Sequence, residues 1–206
     1  VSVGLARDGE VLATGTVHDR MAHVEQLIPL VRRVLGEAGV GLADLSHLIV
    51  GLGPGPFTGL RVGIASARIL ASVTNIALRG ICSLDVLAAQ YASEAPPEEF
   101  VVATDARRKE VYWALYRADG VRLHGPRVAA PEEVPALATI GPGADLYPDR
   151  LTAVLGPRVL DPGVLASVGL DLADAGTEPL YLRRPDAAES TRRKSVLARR
   201  PERKLR

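Results

Sequence analysis

His47-Leu-Ile-Val-Gly-Leu52 runs into Gly53-Pro-Gly-Pro-Phe-Thr-Gly59 and then into Leu60-Arg-Val-Gly-Ile-Ala-Ser-Ala-Arg-Ile-Leu-Ala-Ser-Val73. A short apolar run of this kind suits a buried strand. The Gly/Pro cluster ends it, and helical spacing takes over from Gly59 to Val73. Ile76-Ala-Leu-Arg-Gly-Ile81 then reads as another strand. The order strand, turn, helix, strand predicts an α/β fold.

Upstream, Val1-Ser-Val-Gly-Leu-Ala6 and Val11-Leu-Ala-Thr-Gly-Thr-Val17 flank Asp8-Gly9, a hairpin turn signal. A hairpin is antiparallel, so a sheet that also holds parallel strands is mixed. Residues 22–38 carry Val24, Leu27, Ile28, Val31, Val34, Leu35 and Ala38 at helical spacing. Pro29 inside that pattern predicts a kink or a break. Downstream, Ser83 is placed as the N-cap of a helix over 84–92, and Glu94-Ala-Pro-Pro-Glu-Glu99 as a linker. Strands follow at 100–104 and 111–116, with a hairpin at Asp119-Gly120 and a short helix or turn from Pro131. A last helix is expected over 162–175. These elements predict two lobes, 1–97 and 98–186, the second returning to the first at its end, followed by a basic tail, 187–206.

The 206 residues carry a net charge of +1, but the charge is uneven. The tail 187–206 holds eight Lys or Arg and two Glu, which is +6, so the body sums to −5. The tail has two readings, a contact to RNA phosphates and a solvated terminus, and the second is preferred. No apolar run approaches the roughly 20 residues that span a bilayer, and no signal peptide is recognisable. A cytoplasmic location without membrane contact is the expectation. The single cysteine, Cys82, excludes an internal disulfide and a Cys-rich zinc site, and its apolar surroundings favour a packing role.

The Gly/Pro turn sits where backbone amides can converge on an anion, which makes Gly53, Gly55 and Thr58 candidate nucleotide or anion contacts, with Thr58 as the helix cap. The loop fits no phosphate template: it lacks the Walker lysine, and Pro56 and Thr58 stand where a dinucleotide loop needs glycine. The generic alternative is a tight turn that needs Gly for positive φ. Its helix carries Leu60, Ile64, Ala67 and Ala71 on one side and Val62, Ile69 and Val73 on another, with Arg61 and Arg68 on a polar edge. A helix apolar nearly all round is buried on more than one side. The second cover is either this chain's own first helix or a partner, and the residues alone divide these evenly. The four histidines, His18, His23, His47 and His124, show no metal-ligand spacing, and no nucleophile with its base can be singled out. No catalytic or metal residue is assigned.

Gly53-Pro-Gly-Pro-Phe-Thr-Gly-Leu-Arg-Val-Gly63 is similar to the signature of the TsaB family. His23-Val-Glu-Gln-Leu-Ile-Pro-Leu30, Cys82-Ser-Leu-Asp85, Asp105-Ala-Arg-Arg-Lys-Glu-Val-Tyr112 and Pro179-Leu-Tyr-Leu-Arg-Arg-Pro185 resemble further family motifs in matching order. The resemblance implies a two-lobed ASKHA-type fold, with mixed sheets flanked by helices. It also implies kinship with TsaD, the catalytic subunit whose metal-binding His pair this sequence lacks. Such chains are non-catalytic scaffolds in tRNA threonylcarbamoyladenosine biosynthesis. They pair with TsaD through their first two helices, and TsaE joins the complex with ATP. On this resemblance ATP and metal belong to the partner subunits, tRNA is met through the complex, and a homodimer forms when the partner is absent. The residues then assigned to the partner interface are Val24, Leu27, Val31, Arg61, Ile64, Ala67, Arg68 and Ala71. The family's opening apolar strand, which ends in an Asp-Thr-like turn, has no counterpart here, because this chain starts at Val1 in the following part of the hairpin. The alternative is an ATP-using ASKHA-type enzyme, a carbamoyl transferase or small kinase, which tight nucleotide binding by the isolated chain would favour.

Overall fold

The computed structural model describes residues 1–18 and 23–183, with side chains from Glu25 onward in the second stretch. The basic tail and the side chains of His23 and Val24 lie outside the described residues.

Strands β1 (Ser2–Arg7) and β2 (Glu10–Thr16) form the expected hairpin. Asp8 and Gly9 turn it with φ of 52° and 81°, the paired positive φ that Asp-Gly tolerates. Helix α1 (His23–Glu37) follows and runs through Pro29 without a break. Then come β3 (His47–Gly51), α2 (Phe57–Thr74) and β4 (Ala77–Ile81), in which β3 and β4 pair in parallel. Helix α2 ends on Asn75 in the left-handed conformation, φ 55°, a C-terminal stop that Asn accepts readily.

Helix α3 (Ser83–Ala92) leads to β5 (Glu99–Asp105), β6 (Val111–Arg117) and β7 (Arg122–Ala129). Three short elements, β8 (Ala138–Ile140), α4 (Pro142–Leu146) and β9 (Thr152–Ala153), come next. The sequence signals are weak there because none of these elements is long enough to show a period. The resulting sheet has the order β7-β6-β5-β8-β9. It is mixed, with β5, β6 and β7 antiparallel and β5, β8 and β9 parallel.

Helix α5 (Pro162–Val168) is shorter than the 162–175 expected from sequence. It returns to the first lobe and packs on the β1–β2 hairpin. The approach is close enough that a Cβ at Gly4 would sit 2.1 Å from the Pro162 carbonyl oxygen, so only glycine fits there. Asp161 caps α5 by accepting the Gly163 N–H at 2.7 Å.

The main core lies between α3 and one face of the five-stranded sheet. Leu84, Leu87, Ala88 and Tyr91 meet Phe100, Val102, Ala114, Tyr116 and Ile140 there. Val101, Ala103, Val111 and Trp113 on the opposite face pack with Val134 and Leu151. Burying each large aliphatic side chain is worth about 1.5–3 kcal/mol, so the five-stranded sheet and α3 hold the main core of the described residues.

Candidate functional site

The loop 53–56 and helix α2 form one structural unit. The Gly53–Pro54 peptide is cis and Gly53 has φ 89°, a region that L side chains avoid. A Cβ at Gly53 would also meet Leu60 at 2.7 Å. The Ser83 hydroxyl accepts the Gly53 N–H at 3.1 Å, and the Gly53 carbonyl accepts the Ser83 N–H at 2.7 Å. These two bonds correct the assignment of Ser83 as a cap. Cys82 occupies the N-cap position of α3, and the Ser83 side chain instead locks the Gly/Pro loop. The Gly53 amide proposed for an anion is therefore engaged inside the chain. Gly55 lies beside Leu60. Thr58 is corrected as well: Pro56 is the N-cap of α2, and Thr58 is an exposed residue of the first turn.

Helix α2 packs its inner side on β3 and α1. Ile64 and Ala71 are buried within the chain, so the seam expected to face a partner at these positions points inward. Their small or compact side chains let the helix lie close to its own sheet. Ala67, Leu27 and Val31 line an open cavity between the two helices and strands β1 and β3. On α2, Phe57, Ile69 and Val73 are exposed, 49%, 65% and 80%, while Ile28 of α1, 43% exposed, lines the same cavity. Ile69 and Val73 belong to the second apolar side that the sequence showed. Nothing in the sequence separates exposed from buried members of an all-round apolar helix.

Arg61 and Arg68 fasten the end of the described chain to α2. The Arg61 guanidinium lies 3.8 Å from the centre of the Phe57 ring and donates to the Tyr181 hydroxyl at 2.9 Å. Arg68 donates to the Thr177 carbonyl at 2.6 Å and pairs with Glu178. Cation–π contacts of this exposed type contribute about 0.5–1 kcal/mol. Phe57 and Tyr181 are 5.2 Å apart between ring centres and partly exposed. Tyr181 could not be found as a member of this cluster from sequence, since it is 120 positions from Arg61.

A second polar cluster is internal. Asp85 on α3 is 5% exposed. Its Oδ1 accepts the Tyr116 hydroxyl at 2.7 Å and lies 3.1 Å from Arg122 Nη1. Burial, above all, holds the Asp85 carboxyl above its ordinary range, against the Tyr116 hydrogen bond and the Arg122 charge. Burial and the Asp85 charge push the Cys82 thiol up to about 11, which keeps it in the unreactive protonated form. Among the described residues no group of three or more His, Cys, Asp or Glu is placed to hold a metal ion. Among them, too, no helix is long and apolar enough to cross a membrane.

Comparison with known proteins places this geometry. Residues 17–147 match the family described as TsaD, tRNA N6-adenosine threonylcarbamoyltransferase. A solved structure of YeaZ from Pseudomonas aeruginosa superposes with a TM-score of 0.72 at 28% identity, covering 88% of this chain and 93% of that one. The arrangement of α/β sheets flanked by helices is thus an ASKHA-type fold.

An uncharacterized protein of Mycobacterium tuberculosis is 41% identical over 192 residues, 91% of this chain and 88% of its own. The tRNA threonylcarbamoyladenosine biosynthesis protein TsaB of Escherichia coli is 32% identical over 207 residues, 88% of this chain and 89% of its own. The chain belongs to the TsaB family.

Proposed function

We propose that this chain acts in tRNA threonylcarbamoyladenosine biosynthesis as a cytoplasmic, non-catalytic subunit that binds the catalytic subunit TsaD. The pathway assignment rests on the relatives named TsaB, among them the Escherichia coli protein. The observation that carries the binding role is the pair of large apolar side chains, Ile69 and Val73, that α2 leaves in water. Large apolar side chains left exposed one turn apart on a helix mark an association surface. Arg61 and Arg68, at the polar edge of α2, rim that surface. TsaE, ATP and tRNA join through the assembled complex on this reading, and in the absence of TsaD the same face supports a homodimer.

The test is to mix the purified chain with TsaD and follow complex formation by sedimentation, with threonylcarbamoyl transfer to tRNA measured for each protein alone and together. A stable complex that activates transfer, with no transfer by the chain alone, is the expected result. Failure to associate at micromolar concentrations, or transfer by the isolated chain, rejects the proposal.

A further inference from the structure

Arg107, Arg108 and Lys109, in the turn between β5 and β6, have φ of 61°, 56° and 63°. Successive non-glycine residues in the left-handed region are costly, because each β-carbon crowds a neighbouring carbonyl. Internal bonds hold the turn. The Asp105 carboxylate accepts the Arg107 N–H at 2.7 Å and pairs with the Arg107 guanidinium at 3.1 Å. The Ala106 N–H donates to the Glu110 carbonyl, and the Glu110 N–H to the Arg107 carbonyl, both at 3.0 Å. Ala106 is buried, whereas residues 107–109 are all exposed. The strained backbone therefore gains no core contact from these side chains. What it achieves is to hold consecutive cations in water at a fixed place.

This turn adjoins the ring cluster at the start of α2. Arg183 pairs with Glu110, the residue after Lys109. Tyr181, two residues before Arg183, belongs to the cluster of Phe57 and Arg61. The Cα atoms of Tyr181 and Arg183 are at most about 7 Å apart. Phe57 and Tyr181 are both half-exposed. The combined surface carries Arg61, Arg107, Arg108, Lys109 and Arg183 against Asp105 and Glu110, a net +3. Residues 1–186 sum to −5, so the rest of them carries −8. Positive charge in this acidic body is thus gathered beside its exposed rings.

That pairing restricts the ligand. An acidic peptide or a small anion answers the cations and leaves both rings in water. A nucleic-acid duplex answers the cations too, but its bases are stacked on one another and offer the rings no face. An unpaired strand meets both demands, with phosphates on the guanidinium and ammonium groups and splayed bases on the aromatic rings.

We propose that the surface formed by the 107–109 turn, Arg61, Phe57, Tyr181 and Arg183 binds an unpaired stretch of RNA directly. RNA is chosen over DNA on the pathway reading above, and the proposal rests on that reading for this choice alone. The surface is distinct from the one proposed for TsaD, because Phe57 precedes Ile69 by twelve residues, about 18 Å of helix.

The probe is a fluorescein-labelled oligoadenylate of about twelve nucleotides, within the site sizes of single-strand binders. It is titrated with the full chain at low salt and without TsaD, and anisotropy is read. Failure here leaves TsaD binding untouched, and failure of TsaD binding leaves this measurement untouched. Saturable binding is expected. Tyr181→Ala should weaken it about tenfold, the loss of one stacked base, and should leave binding of inorganic polyphosphate unchanged. Tyr181→Phe, which keeps the ring, should bind like the parent. Lys109→Ala should weaken binding of both probes and lower the slope of log affinity on log salt by about 0.7. Both positions are exposed, and an unchanged thermal transition by circular dichroism verifies the fold of each variant. The proposal is overturned if no saturable binding occurs, or if neither Tyr181→Ala nor Lys109→Ala changes it, which leaves the basic tail as the contact. Equal losses for oligoadenylate and polyphosphate in Tyr181→Ala overturn it as well, because the ring then stacks on no base. Oligoglutamate bound as tightly as oligoadenylate makes the ligand an acidic peptide and likewise overturns it.

Discussion

The Tyr116 hydroxyl donates a 2.7 Å hydrogen bond to the buried carboxylate of Asp85, tying strand β6 to the first turn of α3. Arg122 on the neighbouring strand β7 stands 3.1 Å from the same oxygen. Asp85 lies 31 and 37 positions from Tyr116 and Arg122, and only the packing of α3 on the five-stranded sheet brings them together. Removing one member of a buried charged cluster leaves the others without partners, a cost of about 3 kcal/mol. Asp85→Ala should therefore lower stability by about that amount, and Tyr116→Phe by about 1–3 kcal/mol. Denaturant unfolding followed by circular dichroism gives both values, and losses under 0.5 kcal/mol would show that the cluster is not a structural tie.

The same carboxyl makes stability depend on pH. Its folded pKa lies above the unfolded one, so the native chain holds a proton over a range where the unfolded chain has released it. That contribution is present below the unfolded pKa, about 4, and is lost as pH rises through the folded value. The stability of the unmodified chain relative to Asp85→Asn should fall as pH is raised from about 4. Urea midpoints of the two proteins at a series of pH values measure this, and a difference that rises with pH contradicts it.

Cys82 should resist modification. It is fully buried, and that burial pushes its thiol up to about 11, so the reactive thiolate is scarce at neutral pH. An aromatic disulfide reagent at pH 8 is expected to leave the native chain unmodified and to label one thiol per chain in denaturant. Rapid labelling of the native chain would place Cys82 in a different environment.

The two sides of α2 should respond oppositely to charge. Ile64→Asp puts a carboxylate into the packed inner side and is expected to unfold the chain, at a cost of several kcal/mol. Ile69→Asp and Val73→Asp lie on the outside and should stay within about 0.5 kcal/mol of the parent in stability. Together they should weaken TsaD binding at least tenfold. Circular dichroism and sedimentation on the same samples separate the cases. Folded Ile69→Asp and Val73→Asp proteins that bind TsaD normally would move the interface elsewhere.

Gly4 should tolerate no side chain. The Pro162 carbonyl fills the space a Cβ needs, so Gly4→Ala is expected to cost about 1–3 kcal/mol by forcing α5 off the hairpin. A thermal transition unchanged from the parent would show that α5 can shift freely.

By itself the sequence determined the local elements and the family. Asp8-Gly9 set the first turn, the apolar periods of 22–38 and 59–73 set two helices, and the Gly53–Gly63 motif carried the resemblance. These signals are local because turn chemistry and side-chain period act over a few residues. Tertiary structure decided everything that depends on which face meets which. The apolar stripes of α2 look alike in sequence, but contact with β3 and α1 buries Ile64 and Ala71 and leaves Ile69 and Val73 in water. Ser83 reads as a cap until Gly53, thirty positions away, claims its hydroxyl. The short elements β8, α4 and β9 carry no period long enough to read: β8 is placed by pairing with β5, β9 by pairing with β8, and α4 by packing on β5. Burial and pairing are relations between segments distant in the chain, so no local pattern could encode them.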